Sequence, residues 1–210
     1  QMGHTLVQTA DSIIIGHFSG TVALAGVALA TSIFIIAMVI GLGVSYAITP
    51  LIAQQNGRGN YVECGRLLSN SLFLNIISGI ILCLGICFGF ELLLNHLDQA
   101  PEVVAQARPF LTLLGISLIP MLIFNTFKQF TEGLGFTKQA MYISVWGNVL
   151  NICLGIIFVK GMFGIKPMGI RGVGYSTLID RSIMAVVMGF YVVRSANFQK
   201  YLKDFTLKSI

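Results

Sequence analysis

Charged residues divide this chain into long apolar runs. No Asp, Glu, Lys or Arg occurs in 12–57, and 67–90, 109–127 and 139–159 are likewise uncharged. A membrane-spanning helix needs about 20 mainly apolar residues, and these runs have that length. The 12–57 run can finish one helix, turn at Ser19-Gly20 and cross again. The 172–193 segment makes a last span, interrupted by Asp180-Arg181. The pattern predicts an all-α polytopic membrane protein of six helices, spans 1 to 6, with span 1 truncated at its start.

Composition fixes the solvent. Hydrophobic residues make up 55% of the 210, charged residues only 10%, and the mean hydropathy is +0.84. Soluble domains carry roughly 25% charged residues, so this much apolar surface implies a lipid bilayer as partner, and no nucleic-acid partner is expected. The 23 glycines fit membrane helices whose backbones approach closely. The chain begins at Gln1 and looks like a piece of a longer protein; residues 1–18 lack the basic start and cleavage site of a signal peptide. Cys64, Cys83, Cys87 and Cys153 form no C-x-x-C pair and read as small hydrophobes rather than a metal site.

Loop charges give orientation. Arg58, Arg66, Lys128, Lys138, Arg194, Lys200, Lys203 and Lys208, eight in all, fall on one side; Arg108, Lys160, Lys166 and Arg171, four in all, fall on the other. The positive-inside rule puts the richer side in the cytoplasm, together with both chain ends, in a multi-pass protein of the plasma (inner) membrane. Residues 95–102 form a polar outer loop. Residues 1–194 then read as one transmembrane lobe, and 195–210 as a cytoplasmic linker. In that linker Phe198, Tyr201, Leu202 and Phe205 recur at helical spacing, the pattern of an amphipathic helix on the inner membrane surface.

Polar groups in lipid need partners, so their positions mark inward faces. Asp11 opens the longest uncharged run, and an ionisable group at bilayer depth reads as a functional site. Gln8 and Asp11 are three apart in span 1, Asn148 and Asn151 in span 5, and Thr177 and Asp180 in span 6, next to Ser176. Residues three apart share a helix face. An acid, amides and hydroxyls offer oxygens that suit a hard cation such as Na⁺. They suit a proton equally, and the asparagines also serve as plain ties between helices. Asn70, Asn75, Asn125 and Gln129 read as such ties or as lining of a pathway. His17, His96 and Glu91 read as packing or solvated groups near span ends, and His4 has little sequence context from which to read a role. Arg181 follows Asp180 directly and points to a different face. Pro50 and Pro120, with Gly41 and Gly43 upstream of the first, predict bends.

Several segments resemble a known family. Residues 10–17 (ADSIIIGH) and 23–28 (ALAGVA) are similar to the first two helices of multidrug and toxic compound extrusion (MATE) transporters. So are 53–57 (AQQNG), 130–138 (FTEGLGFTK), 148–151 (NVLN) and 169–177 (GIRGVGYST), in order along the chain. The resemblance implies the N-terminal six-helix lobe of a twelve-helix transporter whose second six-helix lobe is absent from this chain. It also implies a cavity between lobes for a small organic substrate. It places Asp11, Asn151 and Thr177 at a cation-coupling site; Gln8, Asn148 and Asp180 are weaker candidates on spacing alone. No cofactor is implied beyond H⁺ or Na⁺ as coupling ion. The chain departs from the family pattern at Gly155, where members that bind the cation there usually carry a second Asn or Asp; Asp180 is the nearest replacement by spacing.

The function so implied is secondary antiport of amphipathic or cationic organic compounds. A lipid-linked saccharide flippase of the same general architecture is the alternative, weakened by the two acids within the spans. A half-transporter with a structural or regulatory role is a further reading. An intramembrane enzyme is not expected, since no H-E-x-x-H, His cluster or Ser–His pairing falls at membrane depth.

Overall fold

A computed structural model describes residues 9, 12–17, 20–94, 100–162, 164 and 166–202. The architecture is all-α. Residues 12–17 are helical (α1). They are followed by α2 (Gly20–Tyr46), α3 (Ile48–Gly57), α4 (Tyr61–Leu94), α5 (Pro101–Gly133), α6 (Lys138–Lys160), α7 (Ile170–Arg194) and the short α8 (Gln199–Leu202). Five segments are long and apolar enough to cross a membrane: Gly20–Gly57, Tyr61–Phe90, Pro101–Gly133, Lys138–Lys160 and Ile170–Arg194. They are the expected spans 2 to 6. Most of span 1, including Gln8 and Asp11, lies outside the described residues, as do His4, residues 95–99 with His96, and 203–210.

The helix breaks follow local chemistry. Pro50 has no N–H for the Tyr46 carbonyl, and the second span steps there from α2 to α3. The bend expected at Pro120 does not interrupt its helix; α5 runs through both Pro109 and Pro120. Pro101 sits in the first turn of α5, where a missing N–H costs nothing, and Glu102 meets the positive end of the helix dipole.

α5 is the axis of the bundle. In its apolar window 67% of residues are buried, against 22% in α4 and in α6. Phe110, Leu111, Leu114, Leu118 and Leu122 of α5 meet Val27, Ala30 and Phe34 of α2 in one core cluster. Phe124, Phe127 and Phe130 of α5 meet Ile52, Leu68 and Met188 in the other. Close approach needs small residues: a Cβ on Gly79 would lie 3.2 Å from the Ile119 Cα, so α4 and α5 nearly touch backbone to backbone. The outward faces are apolar, with Leu74, Ile81 and Phe88 of α4, Trp146 of α6 and Val186 of α7 exposed. An aqueous domain would hide these side chains; a bilayer accepts them.

α8 packs against the bundle. Two of the four apolar positions that the sequence pattern assigns to a membrane surface are buried against protein: Phe198 is 0% and Tyr201 3% exposed, Leu202 is half-buried, and Phe205 lies outside the described residues. The Phe198 ring lies 5.1 Å from Phe136, 5.6 Å from Tyr191 and 6.0 Å from Phe130. The Tyr201 hydroxyl donates to Asn56 Oδ1 at 2.8 Å, and its backbone carbonyl rests on Gly65. Arg58, Arg66, Lys138 and Arg194 lie at helix ends or connections on this same end of the bundle. Lys203 and Lys208 of the richer charge group lie outside the described residues.

Candidate ion-coupling site

Most hydroxyls within the spans satisfy themselves on their own helix. Ser32, Thr126, Ser144 and Ser182 each donate to the carbonyl four residues earlier. Among the described spans, side-chain hydrogen bonds between helices are few and informative. Ser45 of α2 donates to Asn75 Oδ1 of α4 at 2.9 Å. Thr49 of α3 donates to Gln129 Oε1 of α5. Arg181 Nη1 of α7 donates to Ser117 Oγ of α5 at 2.6 Å. Asn151 Nδ2 of α6 donates to Thr177 Oγ1 of α7 at 3.2 Å.

The first two are ties between helices. Asn75 also donates to the Ser71 carbonyl, and Asn125 to the Met121 carbonyl, so both amides are engaged within the protein. Asn70, grouped with them in the sequence, is exposed and outside this set.

The α6–α7 seam differs. The buried residues of α6 are Ala140, Gly147, Asn151, Gly155 and Val159, a stripe that follows the helical repeat at every fourth residue from 147 onward. α7 runs antiparallel along it. A Cβ on Gly147 would lie 2.9 Å from Asp180 Oδ1 and would collide with Met184. One turn on, Asn151 meets Thr177. Another turn on, a Cβ on Gly155 would lie 3.6 Å from both Ser176 Oγ and Ile14 Cδ1. Further still, a Cβ on Gly172 would lie 2.9 Å from Phe158 Cβ. Two small residues thus flank Asn151 and let the polar side of α7 settle against α6.

Asn151, Thr177 and Asp180 are 0%, 2% and 3% exposed, and Asn148 is half-buried. Asn151 Oδ1 and Asp180 Oδ1 are buried without a hydrogen-bond partner among the described residues. Buried polar atoms in native structures are nearly always paired, so an orphaned one asks for an explanation. Here two such oxygens lie on facing helices, within about 6 Å along the axis at 1.5 Å per residue. α1 reaches the same place. Ile14 touches the Gly155 position, and Asp11, three residues before Ile14, lies outside the described residues, as does Gln8. The structure therefore brings Asn151, Thr177 and Asp180 together.

Sequence reasoning missed two elements of this arrangement. Ser117 gave no signal, because one hydroxyl in a span is commonplace. Gly147 and Gly155 did carry one: Gly-x₃-Asn-x₃-Gly is a small-residue stripe, which marks a close helix contact.

The profile of the MatE family matches residues 1–157. A Pseudomonas putida protein named "Probable multidrug resistance protein NorM" is 32% identical over 192 residues, 91% of this chain and 41% of that protein. The bundle superposes on the crystal structure of a MATE protein in the bent conformation with a TM-score of 0.85 at 22% identity, covering 97% of this chain and 45% of the other. It also matches the inward-facing conformation of a multidrug resistance MATE family transporter of the MOP superfamily, with a TM-score of 0.83 at 25% identity, covering 96% and 45%. The chain spans less than half the length of the relatives it matches.

Proposed function

Because this chain belongs to the MatE family, we propose that it supplies the ion-coupling lobe of a secondary active antiporter. The transporter exports amphipathic or cationic organic compounds in exchange for H⁺ or Na⁺. A second six-helix lobe completes the substrate cavity, and the lysine- and arginine-rich end of the bundle faces the cytoplasm. The lobe does no covalent chemistry; its work is binding a small cation and changing shape.

The observation that carries this reading is the buried bond from Asn151 to Thr177, with Ile14 of α1 packed one turn away. Asp11, three residues before Ile14 in sequence, is the charged partner in this reading. Protonation of its carboxyl, or Na⁺ beside it, alters charge and hydrogen bonding where α1, α6 and α7 meet. The lobe then prefers one arrangement over the other, by no more than the ion's differential affinity for the two. The multidrug resistance names of the relatives support export of organic compounds. The test is dye efflux by the full-length protein in vesicles with imposed pH or Na⁺ gradients. Asp11→Asn is expected to abolish gradient-driven efflux while membrane insertion stays intact; normal efflux by that variant overturns the assignment.

A further inference from the structure

Asp180 lies within a membrane span, is buried, and is not used by the coupling reading above. We propose that it is the second acidic group of the coupling-ion site, and that the cation sits in the α6–α7 seam between Asp180 and Asn151. The inference rests on the antiport reading and extends it from α1 to α7.

Three observations converge. Asp180 Oδ1 and Asn151 Oδ1 are both buried and lack hydrogen-bond partners among the described residues, although neighbouring polar groups in the bundle are paired. Both sit on the same seam, because Asp180 Oδ1 lies over Gly147 and Asn151 is one α6 turn away. Arg181, next in the chain, gives Nη1 to Ser117 of α5, with its guanidinium carbon 5.0 Å over the Phe34 ring of α2; its charge still acts on Asp180, but Asp180 Oδ1 accepts no hydrogen bond from it. The buried stripe of α6 that faces Asp180 has no charged member, and its lysines, Lys138 and Lys160, are at the helix ends. α5 meets α7 through Phe110, Leu113, Ser117 and Phe127. From α1, Ile14 is the described residue on this seam; Asp11 lies outside the described residues. Two oxygens with spare acceptor capacity suit one small cation. A proton turns the Asp180 carboxyl into an O–H donor, and Na⁺ takes carboxylate and amide oxygens as ligands, so the seam offers acceptors to either ion.

Gly155 supplies a sharp test. It lies on the same stripe, one turn beyond Asn151, and a Cβ there makes only ordinary contacts, at 3.6 Å. A carboxylate moved from 180 to 155 remains in the seam. In the full-length protein in vesicles, Asp180→Asn is expected to reduce gradient-driven dye efflux at least about tenfold. Adding Gly155→Asp to that variant is expected to restore efflux to within about threefold of the parent. Loss under the pH gradient assigns H⁺, and loss under the Na⁺ gradient assigns Na⁺. Should Asp180→Asn fail to insert, the double variant, which keeps the acid count, carries the test. Parent-like efflux by Asp180→Asn, or a folded double variant without efflux, overturns the proposal. If Asp11→Asn is inactive while Asp180→Asn transports normally, only this inference fails; if both transport normally, the underlying antiport reading fails with it.

Discussion

Asp180 and Arg181 are adjacent in the chain but serve different neighbours. Asp180 Oδ1 lies over Gly147 of α6, whereas Arg181 Nη1 donates to Ser117 of α5 at 2.6 Å. The 100° between successive helical residues puts them on different faces. α7 is therefore polar on two sides, and each side has its own counterpart helix. A bundle in lipid gains little from apolar contact alone, since acyl chains are equally apolar. Specific polar pairs and close small-residue contacts fix the positions of the helices instead.

That division predicts an asymmetry between Ser117 and Arg181. Ser117→Ala removes an acceptor from a buried guanidinium, and hydrogen bonds to charged groups contribute about 1.5–3 kcal/mol. Arg181→Met removes a buried charge that also acts on the Asp180 carboxyl, and removing one partner of a buried charge interaction is destabilising by about 3–5 kcal/mol. Thermal unfolding of the purified protein in detergent should fall more for Arg181→Met than for Ser117→Ala. The double variant should resemble Arg181→Met alone. Additive losses would show that the two residues are not coupled.

The glycines of the α6–α7 seam predict a graded series. Gly155→Ala places its methyl at 3.6 Å from its neighbours and should be tolerated. Gly147→Ala meets the Met184 side chain and Asp180 Oδ1, and should cost about 1–3 kcal/mol by overpacking. Gly172→Ala meets Phe158, including its backbone carbon at 3.0 Å, which cannot swing aside. It should be the most damaging of the three. Expression and unfolding temperature, measured side by side, give the order; a damaging Gly155→Ala would contradict the seam geometry.

Much of the fold was legible because charge spacing and span length are one-dimensional signals. The uncharged runs mark the cores of α4, α5 and α6, the 172–193 segment marks α7 despite Asp180-Arg181, and α2 begins at Gly20. The contact of Asn151 with Thr177 joins two positions that the family resemblance, rather than spacing, singles out. The remainder required three-dimensional information. Ser117 is ordinary until Arg181 reaches it from 64 residues away. Phe198 and Tyr201 have the spacing of a lipid-facing helix, and spacing does not distinguish a bilayer surface from an aromatic pocket made by Phe130, Phe136 and Tyr191. Pro50 coincides with a step in the second span, whereas α5 continues through Pro120, where neighbouring helices enclose it.

Thr177→Val tests the polar tie itself. Valine keeps the shape but cannot accept from Asn151, whose amide then lacks its partner on α7. Hydrogen bonds between membrane helices average about 0.6 kcal/mol and reach about 1.7. The loss in stability should therefore be small, about 1 kcal/mol by reversible unfolding in mixed micelles, while gradient-driven efflux by the full-length protein should fall much further. A transport defect no larger than the stability defect would leave Thr177 a purely structural residue.

The tail segment makes the last prediction. α8 is held by three contacts of different kinds: Phe198 in its aromatic pocket, the Tyr201 hydroxyl on Asn56, and the Tyr201 carbonyl on Gly65. Removing a fully buried aromatic costs about 3–5 kcal/mol, more than a short helix of four residues can recover elsewhere. Phe198→Ala should therefore release α8. Gly65→Ala should release it as well, because a methyl there cannot coexist with the Tyr201 carbonyl. Tyr201→Phe keeps the ring and loses one hydrogen bond, so it should leave α8 docked. Limited proteolysis between Ser195 and Leu202, with membranes intact, reads the difference: rapid cleavage in the first two variants and slow cleavage in the third. Equal resistance in all three would mean that α8 is held by something other than these contacts, such as the lipid surface that its apolar spacing first suggested.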